Sequence, residues 1–501
     1  MRILPDKEKY SRLQKNSRRV PVYGEASAGD LPPALLYREM FGDDEESFLF
    51  ESGRGPEATA RYTLMGASNA RSLKIEKDKA FLQDRGSGKV LEMDALAGLD
   101  WLNFDAQVQE IDYIRHFWGG WVGFIGYEAA EIFENLPARK DDNLGVPDSY
   151  FIQVDRLVVF DHKKGLIRVI ASREEQEGAG SFDGLAAEID AIWTRIQKIQ
   201  ARYSRSPCSF ASAPLEKSKP PGNGLKSNLS PQEYAQRVER AKIYIEEGDI
   251  YQANISQRFE AAVQTDPVEL YRTLRSVNPS PFSGILKFRD FAIVSSSPER
   301  LVKVENDRVE TRPIAGTRPR GLDPDKDRSL SSELLLNEKE RAEHLMLVDL
   351  ERNDLGRICQ KGSVRVTDLM FLEQYSHVSH IVSNIEGKLM PDAGVKDILR
   401  AVFPGGTITG CPKIRSMEII AELEPQCRGP YCGSMGYIGF SRFMDLNIII
   451  RTFILKNGKA CFNVGAGIVA DSCPEKEYQE TLDKAAALIQ VLSGQENGRL
   501  P

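Results

Sequence analysis

No stretch of the chain approaches the ~20 uninterrupted apolar residues needed to cross a bilayer as a helix, and its first residues, MRILPDKEKYSRLQKNSRR, lack the apolar core of a secretory signal. These absences point to a cytoplasmic protein with no membrane association. An excess of basic residues is also missing: with a formal net charge of −7 over 501 residues, nothing draws the chain to nucleic acid. The seven cysteines, Cys208, Cys359, Cys411, Cys427, Cys432, Cys461 and Cys473, form no C-x-x-C pair, and their odd number argues against a complete disulfide framework, so they read as reduced thiols. A Walker-type phosphate loop, a G-x-G-x-x-G after a strand, a serine nucleophile elbow and internal repeats are all absent.

What is present begins with the longest helical pattern, NEKERAEHLMLVDLERNDLGR, from Asn337 to Arg357. Its apolar run Leu345, Met346, Leu347, Val348 and Leu350 covers more than one face, which predicts a buried helix with a stop at Gly356. Glu340 and Glu343 are three apart and project from one side. In DSCPEKEYQETLDK, Glu477 and Glu480 repeat that spacing on a second predicted helix, with Lys484 one turn beyond. Two such pairs suit magnesium, a hard ion that takes few carboxylates and keeps positions for substrate oxygens. Two solvated helix faces would produce the same spacing, and for one pair alone that is the commoner outcome.

The length exceeds one usual domain. RLVVFDHKKGLIRVIAS (156–172) reads as two strands around a turn, and FWGGWVGFI (117–125) as strand whose glycines admit a close neighbour. Residues 201–228 are rich in Ser, Pro, Gly and Lys and read as a linker, dividing an N-terminal domain (1–200) from a second domain (229–495). The second opens with a helix capped by Ser230, with Pro231 at its first position, a capping-box Glu233 and a stripe of Tyr234, Val238, Ala241 and Ile245 ending at Gly248. Strand runs follow at 291–296 and 301–311, and Asn457-Gly458 joins two more in a tight hairpin. Hairpins alternating with helices predict an α+β fold of antiparallel sheets with flanking helices.

Three glycine-bearing stretches, RPIAGTRPRG (312–321), FPGGTITGCPK (403–413) and VGAGIV (464–469), are each compatible with a tight turn. Together with Arg451 and the glutamates they suggest a pocket for a small polycarboxylate, held by backbone N–H groups and a bidentate arginine.

With YQANISQRF (251–259), SSPERL (296–301), YSHVSHIVS (375–383), DLNIIIRT (445–452) and VGAGIVADSCPEKEYQET added, residues 228–495 strongly resemble the chorismate-utilising enzymes. The N-terminal FLFESG (48–53) and FWGGWVGFIGYE (117–128) resemble the N-terminal domain of the anthranilate and aminodeoxychorismate synthases within that family. The resemblance implies the chorismate-utilising enzyme fold. Members that use water carry a lysine in the YQAN motif where this chain has Gln252, so ammonia is the implied nucleophile. FPGGTITG, NPSPFSG (278–284) and DLNIIIRT resemble the branch that places nitrogen at C4 and keeps the enolpyruvyl group, giving 4-amino-4-deoxychorismate for 4-aminobenzoate and folate biosynthesis. Ala315 in PIAGT matches the alternative, anthranilate-forming branch and excludes a covalent route through a lysine at that position.

Residue by residue, the resemblance implies magnesium held by Glu343 and Glu480 with support from Glu340 and Glu477. It places Arg451, Tyr431 and the amides around Gly465 and Gly467 on the enolpyruvyl carboxylate. Glu299 is implied as acid or base at the C4 hydroxyl, with His380 and Thr407 lining the ring and Thr317 touching substrate. Lys484 and Lys413 are either partners of a substrate carboxylate or helix-end charges. Because no Cys-His-Glu amidotransferase signature is present, glutamine use implies a separate glutamine amidotransferase subunit. FLFESG and NPSPFSG match segments that form a tryptophan pocket in related enzymes, and the sequence departs from the LLES form at Phe50.

Overall fold

The computed structural model describes all residues except 53–60, 69, 109–110, 141–143, 175–180, 206–223, 321–322, 375–377 and 497–501. Two large antiparallel sheets pack face to face, and helices cover both outer sides. Strand Gly120–Ile125 shows why: Val122 and Phe124 enter the core between the sheets, whereas Trp121 and Ile125 point outward into the core under the helices. Both faces are therefore apolar, as the period of two requires of a strand buried on both sides.

The anticipated hairpins are present. Arg156–Asp161 pairs with Leu166–Ala171 around Gly165 at φ 61°, and Thr452–Lys456 pairs with Lys459–Ile468 around Asn457 and Gly458 at φ 51° and 71°. The glycines of FWGGWVGFI do admit close neighbours. A methyl group on Gly123 would sit 2.0 Å from Tyr150 O, and one on Gly120 2.1 Å from Ile438 O. Helix Pro231–Glu246 has its capping box, with Tyr234, Val238 and Ala241 buried, and Tyr244 rather than Ile245 completes the buried stripe. Asn306, at φ 58°, makes the turn between Arg300–Glu305 and Arg308–Thr311.

Other expectations change. Helix Glu338–Gly356 is not buried all round: Leu345 is 49% exposed, while Leu347, Val348 and Leu355 pack inward together with the polar His344, Glu351 and Asp354. Leu345 lies on its outer side, Met346 and Leu350 are half-buried, and part of its inner face is polar. The first part of the 201–228 stretch is helical, since the helix beginning at Phe182 runs to Arg205, and Lys226–Ser227 pairs with the strand that follows. The halves on either side of this stretch share both sheets. Ser47–Glu51 pairs with Ser283–Lys287 in one sheet, and Gly120–Ile125 with Ser434–Gly439 in the other. No helix among the described residues is long and apolar enough to cross a membrane.

Candidate active site

Two crossings between the sheets, lying side by side, place the central residues. The chain leaves one sheet after Phe291–Ser297 and enters the other at Arg300, which puts Glu299 in the gap. DLNIIIRT makes the reverse crossing. Phe443–Ile448 lies in the second sheet and Thr452–Lys456 in the first, so this run is two strands, separated at Arg451 by a left-handed φ of 51°. The crossings hold each other: Ile448 N–H donates to Glu299 O at 3.0 Å, and Ser297 Oγ donates to Ile448 O at 2.6 Å.

Glu299 is buried, and among the described residues its Oε1 has no hydrogen-bond partner. Burial pushes its carboxyl up to about 7, against the lowering influence of the Thr407 hydroxyl, the Ile314 backbone, Arg451 and Lys484. Thr407 comes from the short turn Gly406–Ile408. His380 lies on strand Val378–Lys388, where Gly316, at φ 67°, makes a bulge in the partner strand that leaves Thr317 opposite His380. His380 Nδ1 donates to Gly316 O at 3.4 Å, and burial with the nearby Arg451 charge lowers the imidazole pKa to about 3. His380 is therefore neutral near pH 7. The side chain of Thr317 and residues 375–377 of the YSHVSHIVS motif lie outside the described set.

The third side of the site is strand Lys459–Ile468 against Gln252–Ala262. A methyl group on Gly465 would lie 2.3 Å from Asn254 Oδ1 and 3.0 Å from Tyr431 Oη, and one on Gly467 would lie 2.3 Å from Gln252 Nε2. Among the described residues, Asn254 Oδ1 and Gln252 Oε1 are, like Glu299 Oε1, buried without a partner. An unmet buried acceptor costs about 1–3 kcal/mol, so three around one site fit a ligand that donates hydrogen bonds. Lys484 Nζ donates to Gly465 O at 3.0 Å and pairs with Glu480 at 2.7 Å, whereas Lys413 is occupied by Asp354 at 2.6 Å and Val402 O.

The four candidate metal ligands come from helices Glu338–Gly356 and Pro474–Glu496. Glu343 and Glu477 are both pushed up, first by burial; Glu340, Glu480 and Glu477 add to the rise at Glu343, and Glu480 to that at Glu477. That mutual repulsion fits a cation. The other two are engaged elsewhere, Glu340 with Arg318 at 3.1 Å and Glu480 with Lys484, and among the described residues no three possible ligands are grouped tightly enough to hold one ion. Closing a magnesium site here requires side-chain rotation.

Several contributors were not singled out from sequence. Arg428 is fully buried and bonds Glu424 at 2.6 Å, Asn254 O at 2.6 Å and Ile408 O at 3.0 Å, while stacking over Tyr127 and Tyr431. Glu351, buried beneath the site, lies 2.6 Å from Thr311 Oγ1. A run such as PQCRGPYC carries no periodic signal for such a role. Away from the site, Phe50, Glu51 and Ser52 meet Pro281, Phe282 and Ser283 around a pocket, with Met435 and Asn447 also lining it.

The profile of the chorismate binding enzymes matches residues 45–490. The chain belongs to that family. It is 40% identical over 483 residues to anthranilate synthase component 1 of Acetivibrio thermocellus, covering 96% of each chain. It is also 40% identical over 449 residues to aminodeoxychorismate synthase component 1 of Bacillus subtilis, covering 89% of this chain and 91% of that one. Among solved structures, anthranilate synthase component I from Streptococcus pneumoniae superposes with a TM-score of 0.73 at 35% identity, covering 93% and 99% of the two chains. The protein is thus a chorismate-utilising enzyme of the group that contains these two synthases.

Proposed function

We propose that the enzyme is an aminodeoxychorismate synthase component I: it aminates chorismate at C4, drawing ammonia from a separate glutamine amidotransferase. The observation that carries the choice of branch is the packing of Gly405. A methyl group there, as in the FPAG form of the motif, would sit 2.9 Å from Ile448 Cδ1 and 3.4 Å from Leu301 Cδ1. Ile448 of DLNIIIRT would have to shift its side-chain end to admit an alanine, so the FPGG and DLNIII segments pack on each other beside Glu299.

In this reading Arg451, Tyr431 and the amides around Gly465 and Gly467 hold the enolpyruvyl carboxylate. Glu299, buried and protonated over much of the neutral range, gives its proton to the C4 hydroxyl, which leaves as water. Ammonia supplies the new C–N bond, its surplus proton returns to the Glu299 carboxylate, and the enolpyruvyl group stays. Neutral His380 and Thr407 border the ring. Magnesium, when held by Glu343 and Glu480 with Glu340 and Glu477, supplies positive charge for the ring carboxylate. Ala315 presents a methyl group where a lysine nucleophile would stand, so nitrogen arrives without a covalent enzyme adduct at that position.

Ala315 favours a second reading, amination at C2 with loss of pyruvate to give anthranilate, which is also the name carried by several relatives. Incubation with chorismate, magnesium and ammonium separates the two. The expected result is little pyruvate and a product that yields 4-aminobenzoate only after a lyase is added; stoichiometric pyruvate with anthranilate fluorescence overturns the C4 assignment. We further propose that the pocket between Phe50 and Phe282 binds tryptophan, which calorimetric titration tests directly.

A further inference from the structure

The loop that delivers Tyr431 to the site is held from the N-terminal half of the chain. Arg428–Gly433 has no regular secondary structure, and two of its residues, Gly429 and Cys432, stand at φ 62° and 61°. A loop of that shape needs external partners to keep one conformation. Glu128 supplies them: its Oε1 accepts the Arg428 amide at 2.6 Å and its Oε2 accepts the Gly429 amide at 2.8 Å. The neighbouring Tyr127 N–H donates to Gly429 O at 2.8 Å, completing a three-bond clasp.

The clasp is itself rigid. Arg139 bonds Glu128 O at 3.2 Å and is fixed by Glu131 at 2.7 Å and Asp148 at 2.7 Å, while Gly126 N–H donates to Asp148 O at 2.6 Å. On the other side of the loop, the Arg428 guanidinium reaches Asn254 O and Ile408 O, next to Thr407. One residue of the N-terminal half therefore bears on three segments that border the site: Tyr431, YQAN and FPGGTIT.

We propose that Glu128 is a positioning residue for the chorismate site, acting through the Arg428 and Gly429 amides to set Tyr431 at the face of Gly465. It never touches substrate. The inference rests on the chorismate assignment above and extends it, because it gives the N-terminal half a part in substrate binding.

The test is steady-state kinetics of the full chain with chorismate, magnesium and ammonium. Glu128→Gln keeps the size of the side chain but replaces one acceptor by a donor facing a backbone N–H. Losing one of the two side-chain bonds and leaving a buried backbone N–H unmet predicts about a 10-fold or greater rise in KM for chorismate, with kcat and the ammonium KM changed less than about threefold. Glu128→Asp, which keeps both acceptors, is expected to recover part of the loss. Pro430→Gly frees the loop beyond the clasp without altering Glu128 and is expected to give the same KM signature, which keeps the test decisive if the Gln variant does not fold. A fall in kcat at unchanged chorismate KM in the folded variants would mark a purely structural role and overturn the inference. If the unaltered enzyme does not turn over chorismate, the functional assignment fails instead.

Discussion

Lys484 and Glu480, one helical turn apart, form a 2.7 Å ion pair at the edge of the site, so one of the four candidate magnesium ligands is already paired with a cation. Glu480 is exposed, and its removal does not disturb the core. Glu480→Gln is expected to fold normally while raising the magnesium concentration for half-maximal activity by about 10-fold or more, as loss of one anionic ligand predicts. Near-normal turnover at low magnesium would show that Glu480 does not hold the ion.

Glu299 makes two predictions on pH, one for activity and one for stability. As a general acid it must be protonated, so chorismate kcat/KM at fixed free ammonia falls as pH rises through about 7. Glu299→Gln lowers kcat by about 10²–10⁴-fold and removes that limb.

For stability the sign follows from proton uptake. A carboxyl raised above its unfolded pKa binds more protons in the native state, so its contribution declines as pH rises from about 4.5 through about 7. Glu299→Gln should therefore gain on the parent by about 3 kcal/mol between pH 4 and pH 8, read from denaturant midpoints at each pH. A constant difference across that range would mean the group is not held protonated by the fold.

Ammonia supply is the next test. Glutamine is expected to support turnover only after an amidotransferase subunit is added, whereas ammonium salts at raised pH replace both. Glutamine-dependent activity of the isolated chain would contradict this.

Glycine geometry gives a test of the fold. Gly120 stands at φ 146° with a built methyl 2.1 Å from Ile438 O, while Gly165 stands at φ 61° with nothing within 4 Å. Gly165→Ala is expected to cost about 1 kcal/mol from backbone conformation alone, and Gly120→Ala more than about 3, because the sheet must part to admit it. Equal thermal shifts would mean that the close approach at Gly120 is not real.

Local features were legible in the sequence because their causes are local. Ser230 with Glu233, Asn457-Gly458, and the Lys163–Gly165 turn each depend on a few adjacent residues. The Glu299, His380 and Arg451 set was reached through motifs, and the fold brings it together. What stayed hidden depends on distant partners: the crossing at Arg451 looks like uninterrupted strand in DLNIIIRTFILK, since both sheets demand the same apolar residues. Glu128 has a role that its neighbours in sequence do not announce. Its ligands are two amides 300 and 301 positions away.

The sharing of both sheets also has a consequence for how the protein is made. Ser47–Glu51 and Gly120–Ile125 leave the ribosome long before Ser283–Lys287 and Ser434–Gly439 exist to pair with them. At ~5–20 residues per second, the first of these strands waits roughly 10–50 s with one edge open. Throughout that interval the nascent N-terminal half offers apolar strands with unpaired N–H and C=O groups, the material of aggregation, and its natural custodian is a chaperone rather than its own core.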